Sequence, residues 1–315
     1  MEQSIDILGL GCAAVDDVLY VDRYPPPDAK ARVQRRERHC GGLTAAALIA
    51  AARLQMRCAY AGCLGTDDAS QFVLRALRAE DVNVDHVRCE PHARPICSTI
   101  AVDQAHGTRN IYFDLNGLVA LPPDWPDEDV IRAAHALLVD HFNVEAQIRA
   151  AQLARQERVP VIADFERLDM PGFEDLLELV DHLVVSLDFA NCLTGCSDPA
   201  DAALALWREG RQAVVVTNGS NGCWFATQPA DPSSTAAVRS PVVQHQPAFQ
   251  VQAVDTTGCG DVFHGAYAAA LVRGLAVSEA VRFASAAAAL KATRPGGASG
   301  APQLSEVTAF MEAQQ

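Results

Sequence analysis

The chain has no surplus of positive charge. Twenty-five Lys and Arg stand against 39 Asp and Glu, a formal net charge of −14, and no long run of like charges occurs. A cationic face for nucleic acid or anionic lipid is therefore not expected. No CxxC pair occurs among the ten cysteines. Cys192 and Cys196 share a C-x3-C spacing, but no His or Cys cluster follows at zinc-finger distance. Scattered, unpaired cysteines predict reduced thiols in a cytoplasmic protein. No apolar stretch reaches the ~20 residues that span a bilayer. The opening MEQSIDILGLG has no basic stretch ahead of its apolar run, so no signal peptide is expected. Internal repeats are missing as well.

What is present is apolar bulk and rhythm. Half of the 315 residues are hydrophobic, enough for one large α/β domain spanning residues 1–315. Short apolar runs alternate with helical patterns. Strands are predicted at Ile5 to Leu10, Arg57 to Cys63, Ala136 to Val139, Val159 to Ala163, His182 to Val185 and Ala213 to Val216. Helices are predicted over the Ala-rich Thr44 to Leu54 and over Ser70 to Glu80, the latter capped by Asp67 or Asp68. This βαβ order argues for a mainly parallel sheet with helices on both faces. Two segments break the order. Val15 to Arg35 alternates and carries three prolines, and Cys97 to Asn116 reads as strand–turn–strand around Ala105-His106-Gly107. Both are expected as lid strands outside the main sheet. The Pro- and Ser-rich stretch Gln228 to Ser240 reads as a surface loop.

The most informative stretch is VQAVDTTGCGDVFHGAY. It predicts a strand ending near Val254, a turn, and a helix starting near Gly260. Ligands of α/β sheets bind where such a turn opens a helix. Gly258 and Gly260 let the backbone approach a ligand closely. Unpaired amides and the helix dipole there suit phosphate, or charge developing during phosphoryl transfer. Asp261 stands where a carboxylate could accept a proton from a substrate hydroxyl. The bland alternative is a tight turn with Asp261 as a helix cap. Cys259 lies at a helix start, a position that lowers a thiol pKa, or simply fills an alanine position. His264, about one turn on, is read as a packed helix residue. A competing motif is Gly9-Leu10-Gly11-Cys12-Ala13-Ala14, which fits the GxGxxA dinucleotide fingerprint and would make NAD the ligand. That fingerprint needs a helix directly after its glycines, whereas VDDVLYVDRYPPP alternates like a strand.

DTTGCGDVFHGAY closely resembles the DTxGAGD signature of the PfkB/ribokinase family of sugar kinases, with Cys259 in place of Ala. The resemblance extends over nearly the whole chain. GCAAVDDVLYVDRYP resembles the family's opening strand, and CGGLTAAALIAAARL its first signature. VVVTNGSNGCWF resembles the strand and turn beside the nucleotide, and VRFASAAAALKATRPGGASG the helix and loop flanking adenine. The fold implied is a ribokinase-like three-layer α/β sandwich with a small β-lid. The activity implied is phosphorylation of a sugar hydroxymethyl group by ATP with Mg2+. Asp261 would be the catalytic base, and the amides of Gly258, Cys259 and Gly260 the anion hole. Asp16 would bind sugar hydroxyls, with Gly41 and Gly42 as the lid hinge. Thr217, Gly219, Gly222, Thr257, Arg294 and Gly297 would flank the nucleotide. K+ near Asp255 and a homodimer through the lid also follow from the resemblance.

The chain departs from the family pattern in three places. The sugar-contacting Asn of the first signature is Ala46. The N-x-x-E motif that organises metal and phosphate falls on Ser186 to Phe189, which leaves Asp164 as the candidate metal ligand. Within the family the chain looks most like the sulfofructose kinase branch. The Arg that grips the sulfonate there is replaced by His141, Phe142 or Asn143, of which Asn143 is the candidate sugar contact. Lys30 and Arg109, on the expected lid, remain as grips for an anionic substituent. These departures leave room for a weakly catalytic module that senses sugar or nucleotide.

Overall fold

The structure, a computed structural model, describes residues 4–228 and 240–314. The expected loop at Gln228 to Ser240 lies almost wholly outside the described residues. The strands in chain order are β1 (Ile5–Leu10), β2 (Ala14–Val21), β3 (Val33–Gly41), β4 (Cys58–Tyr60), β5 (Cys63–Leu64), β6 (Arg88–Cys89) and β7 (Ile96–Asp103). They continue as β8 (Thr108–Asp114), β9 (Ala134–Asp140), β10 (Val161–Asp164), β11 (His182–Ser186), β12 (Ala213–Thr217), β13 (Cys223–Thr227) and β14 (Val242–Gln246). The helices are α1 (Leu43–Arg53), α2 (Asp68–Ala79), α3 (Glu128–Arg132), α4 (Val144–Gln156) and α5 (Phe173–Glu178). After them come α6 (Leu187–Thr194), α7 (Pro199–Ala205), α8 (Cys259–Val272), α9 (Val277–Ala292) and α10 (Leu304–Ala313).

Eight strands form the main sheet, in the order β14-β13-β12-β11-β10-β9-β1-β4. From β4 to β12 neighbours run parallel, and β13 and β14 add an antiparallel edge. Helices cover both faces of the sheet, and the side chains of its parallel strands alternate between two buried layers. Leu138, Ile162, Val184 and Val215 point into one core layer. Their neighbours Leu137, Val161, Leu183 and Val214 point into the other. Each fully buried Val, Leu or Ile contributes about 1.5–3 kcal/mol, so two such layers dominate the fold's stability. Asp67 caps α2 as expected, its side chain accepting from the Ser70 amide.

The second sheet has the order β3-β2-β7-β8. Its strand β3 runs to Gly41, so the chain leaves the lid and enters α1 through Gly42 without a linker. Strand β2 follows Gly11 and Cys12 almost directly. No helix opens there, so the GxGxxA match is not a dinucleotide site. Two expected strands differ as well. Arg57 to Cys63 splits into β4 and β5, which belong to different sheets. A close approach forces the break, because a Cβ at Gly62 would lie 2.0 Å from the Tyr60 hydroxyl. Residues 251–254 form no strand. Their backbone is tied instead to the end of α9, with the Val254 amide donating to the Ala292 carbonyl at 2.7 Å.

Candidate active site

Helix α8 begins at Cys259, with Gly258 as its N-cap at φ 77° and no side-chain cap. A side chain at that φ would be strained. The Cys259 amide makes one long bond, 3.3 Å to the Thr256 carbonyl, and those of Gly258, Gly260 and Asp261 have no partner among the described residues. Asp261 lies in the same first turn, where the free amides and the helix dipole favour negative charge. Burial and the nearby carboxylates of Asp164 and Glu166 push the Asp261 carboxyl well above its ordinary pKa, and His264 opposes them. Such a carboxyl is poised to exchange a proton nearer neutral pH than an exposed one.

His264 is part of this site, although the sequence reading gave it no role. Its Nδ1 faces the Gly260 carbonyl at 2.8 Å and its Nε2 the Val184 carbonyl at 2.9 Å. Both ring nitrogens thus face carbonyl oxygens, which can only accept. Nδ1 also lies 3.2 Å from Asp164 Oδ2. The ring thus packs beneath a group of carboxylates. A helix residue four positions from Gly260 carries no sequence signal of this kind. The contact to Val184 comes from a strand 80 positions away.

On the other side of α8's start, Asp16 projects from the middle of β2, opposite His39 and Ser98 in the neighbouring strands. Burial raises its carboxyl pKa, against the opposing hydrogen bond from Ser98 and the charge of His39. Asp16 and Asp261 are close enough to feel each other's charge. A Cβ at Gly41 would lie 2.0 Å from Asp16 Oδ2, so only glycine leaves room for that carboxylate. Gly42, at φ 90°, presses on the Ala13 backbone. Asp140 is a structural hub that the sequence did not single out. Fully buried at the end of β9, it accepts from the Cys12 amide at 2.7 Å, the Thr44 hydroxyl at 2.8 Å and the Phe142 amide at 2.7 Å. It joins the ends of β1 and β9 to the first turn of α1.

The residues expected at the nucleotide fall into two groups. Thr217 ends β12, and Gly219 to Asn221 form a 3-10 turn. Gly222 has φ 87°, and a Cβ there would strike the Gln246 carbonyl at 2.1 Å. Asp255 ties two loops together, accepting from the Thr257 amide at 2.8 Å and the Gly296 amide at 2.9 Å. Gly258 packs on Gly297, to which a Cβ would approach within 3.1 Å. A cavity of about 420 Å³ lies between these loops and the lid, lined by Tyr20, Arg35, Arg109, Asp255, Thr257 and Gly297 among others. The Arg294 side chain is turned outward and paired with Glu306 at 2.6 Å. Its carbonyl faces inward.

Several expected contacts are placed elsewhere. Asn143 sits in the left-handed region at φ 59° as the N-cap of α4. Its side-chain oxygen accepts from the Leu121 amide at 2.9 Å, so it holds a loop. Lys30 is exposed in the β2–β3 loop. Arg109 reaches across to the Thr256 hydroxyl at 3.1 Å. That locates it at the lid tip, over the Asp255–Gly297 loops. Cys259 departs from the helix-terminus expectation, since burial raises its thiol pKa. The Ser186 hydroxyl caps α6 by accepting from the Phe189 amide at 3.2 Å. Phe189 packs edge-on against Phe173, itself edge-on to Phe165. Apolar rings thus occupy the place expected for N-x-x-E.

Asp164 is buried, and its Oδ2 makes no hydrogen bond. Burial and the charges of Glu166 and Asp140 raise its pKa well above the ordinary value. That oxygen has the His264 ring at 3.2 Å and no hydrogen bond, and with Glu166 and Asp140 nearby it suits a divalent cation that shares its remaining ligands with phosphate oxygens. Among the described residues no three His, Cys, Asp or Glu side chains form a complete metal cage.

A glycine-opened anion site with an adjacent acid, on a doubly covered parallel sheet with a β-lid, defines a sugar-kinase architecture. The family comparison agrees, and the chain belongs to the pfkB family of carbohydrate kinases, whose profile matches residues 5–304. It is 28% identical over 290 residues to a fructokinase of Solanum tuberosum, covering 86% of each chain. A crystal structure from Agrobacterium tumefaciens, of a protein classed provisionally as a ribokinase, superposes with a TM-score of 0.89. Identity to it is 30%, with 99% of both chains covered. The Arabidopsis thaliana ribokinase, solved with ribose and ATP, gives a TM-score of 0.82 at 25% identity, covering 98% of this chain and 99% of that one. The chain is thus an ATP-dependent sugar kinase of ribokinase-like fold. No helix among the described residues is long and apolar enough to cross a membrane.

Proposed function

We propose that the chain transfers the γ-phosphoryl group of ATP to the hydroxymethyl group of a small neutral sugar, a ketose in ring form, with Asp261 as general base. The observation that carries this reading is the pairing of the Asp261 carboxyl with unclaimed amides at the head of α8, and with Asp16 facing them from the lid. Asp16 and the backbone at Gly41-Gly42 hold sugar hydroxyls. The Thr217–Gly222 turn and the loop at Gly297 flank the nucleotide. Asp261 takes the hydroxyl proton as the phosphoryl group moves in line. The amides of Gly258, Cys259 and Gly260 stabilise the transferring charge. The His264 ring, packed beside Asp164, offsets part of the repulsion between Asp164 and Asp261. Magnesium, when bound, neutralises phosphate charge, with Asp164 and Glu166 as the protein oxygens nearest to hand. A coupled ADP-release screen over ketoses, aldoses, nucleosides and sugar acids tests the reading. Turnover confined to nucleosides or sugar acids would overturn it.

Substrate charge follows from where the cations are. Lys30 is solvated, Arg109 is engaged at Thr256, and position 142 is a buried Phe. A sulfonate beside Asp16 would meet a carboxylate and lack a charge-assisted partner, a bond contributing roughly 1.5–3 kcal/mol. Fructose is expected to give the higher kcat/KM in comparison with sulfofructose. A clear preference for the sulfonate would relocate the anion-binding residue.

The lid supports a homodimer. All of β8 is exposed at the sheet edge, with Ile111, Tyr112 and Phe113 at 50%, 64% and 57%. An uncovered edge carrying three large apolar side chains is a surface that needs a partner. Light scattering should give twice the chain mass, and the triple substitution Ile111→Ser, Tyr112→Ser, Phe113→Ser should halve it. A wild-type monomer across the working concentration range would count against this assembly.

A further inference from the structure

The chain contains two lysines, Lys30 and Lys291. Lys30 lies in solvent, whereas Lys291, in the last turn of α9, is 0% exposed. Its Nζ donates to the Asp255 carbonyl at 2.9 Å and to the Arg294 carbonyl at 3.2 Å. Its stem lies against Gly300, where a Cβ would come within 2.8 Å of the Lys291 Cδ. Gly300 therefore keeps open the channel through which the side chain reaches its acceptors. Burying an ammonium costs far more than burying an apolar chain unless oxygen atoms replace its water. Here they belong to the two loops that carry the nucleotide and anion-hole residues. The Asp255 carboxylate braces the same two loops from the other side, through the Thr257 and Gly296 amides.

Converging backbone carbonyls are also how proteins hold K+. The family resemblance calls for K+ near Asp255, and two of the carbonyl oxygens there are taken by the Lys291 ammonium. The residues present do not fit a free ion in addition. We propose that Lys291 is a built-in monovalent cation: its ammonium occupies the K+ position between the Asp255 and Arg294 carbonyls, and the enzyme works without K+. Lys291 is then a positioning residue that holds the Asp255–Gly260 turn, and through it the anion hole, in its working shape. The neighbouring charges are consistent with a retained ammonium. Burial lowers its pKa, and Cys259, Asp255 and Asp261 counter that effect.

The inference depends on family membership and not on which sugar is used. Its test replaces KCl by tetramethylammonium chloride at constant ionic strength. Wild-type turnover should stay flat from zero K+ upward, and severalfold activation by K+ would overturn the proposal whatever the variants do. Lys291→Ala should lose about tenfold or more of kcat in K+-free medium. K+ or ammonium ions should restore most of that loss, and tetramethylammonium should not. Lys291→Met, which fills the channel with an uncharged chain, should be slow and indifferent to K+. The Tm of ligand-free Lys291→Ala should rise with KCl while that of the wild type does not. A folded Lys291→Ala that keeps full turnover without K+, or that neither recovers nor gains Tm with K+, would also overturn it. If no sugar is turned over in any salt, the substrate reading fails, and the Tm comparison still decides whether Lys291 replaces the ion.

Discussion

Asp261→Asn is expected to fold, to bind ATP and to lose about 10²–10⁴-fold in turnover, the usual cost of removing a general base. The substitution changes almost no volume, so the packing of α8 on α1 and α9 should survive. It also removes a negative charge set among Asp164, Glu166 and Asp16. The Tm should therefore hold or rise, which separates a lost base from a lost fold. The raised carboxyl pKa adds a second signature. Wild-type kcat/KM should climb with pH as Asp261 loses its proton, over a range above that of an ordinary aspartate. In the variant that acidic limb should disappear. Turnover of Asp261→Asn within tenfold of wild type on the best sugar would end the assignment.

The second large effect is expected on the sugar side. Asp16→Ala should lower kcat/KM for the sugar by about 10²–10⁴-fold, since two hydrogen bonds to a carboxylate are lost at roughly 1.5–3 kcal/mol each. KM for ATP should hardly move, because Asp16 lies on the lid strand and not on the nucleotide loops. Gly41→Ala offers an independent check. Its new methyl would fall 2.0 Å from Asp16 Oδ2 and push the carboxylate aside without removing it. The two variants should share one pattern, with sugar recognition impaired and ATP binding intact. An unchanged sugar KM in both would remove Asp16 from the binding site.

The parts of the fold legible in sequence are those governed by local period. Strands buried on both faces read as short apolar runs, and α2 is announced by Asp67 and its amphipathic spacing. The head of α8 was legible because an anion site needs glycines at set positions, and Gly258-Cys259-Gly260 supplies them. What was not legible depends on distant partners. The role of Asp140 comes from Cys12 and Thr44, which approach it only after β1 and β9 pair. Asn143 looks polar and free until Leu121 claims its oxygen. His264 reads as helix filler until Val184 arrives from another strand. Lys291 sits in an Ala-rich helix with nothing local to mark it, yet it points inward because Gly300 leaves it a channel. The segment before Asp255 alternates like a strand, but its Val254 amide bonds to the end of α9 instead.

Gly265, one turn beyond Asp261, has a consequence for how the reacting atoms are spaced. A Cβ there would lie 2.1 Å from the Ala47 carbonyl, so α8 and α1 touch backbone to backbone. Helix α1 starts at the Gly42 hinge, and α8 carries Asp261. The interval between the platform under the sugar and the base above it is thus gauged by two main chains in contact, with no flexible side chain between them. In the proposed mechanism, with Gly42 as the lid hinge, β2 and β3 would swing while that interval stays constant. With Asp261 as the proposed base, sugar would enter and leave without that base being re-aligned on each cycle.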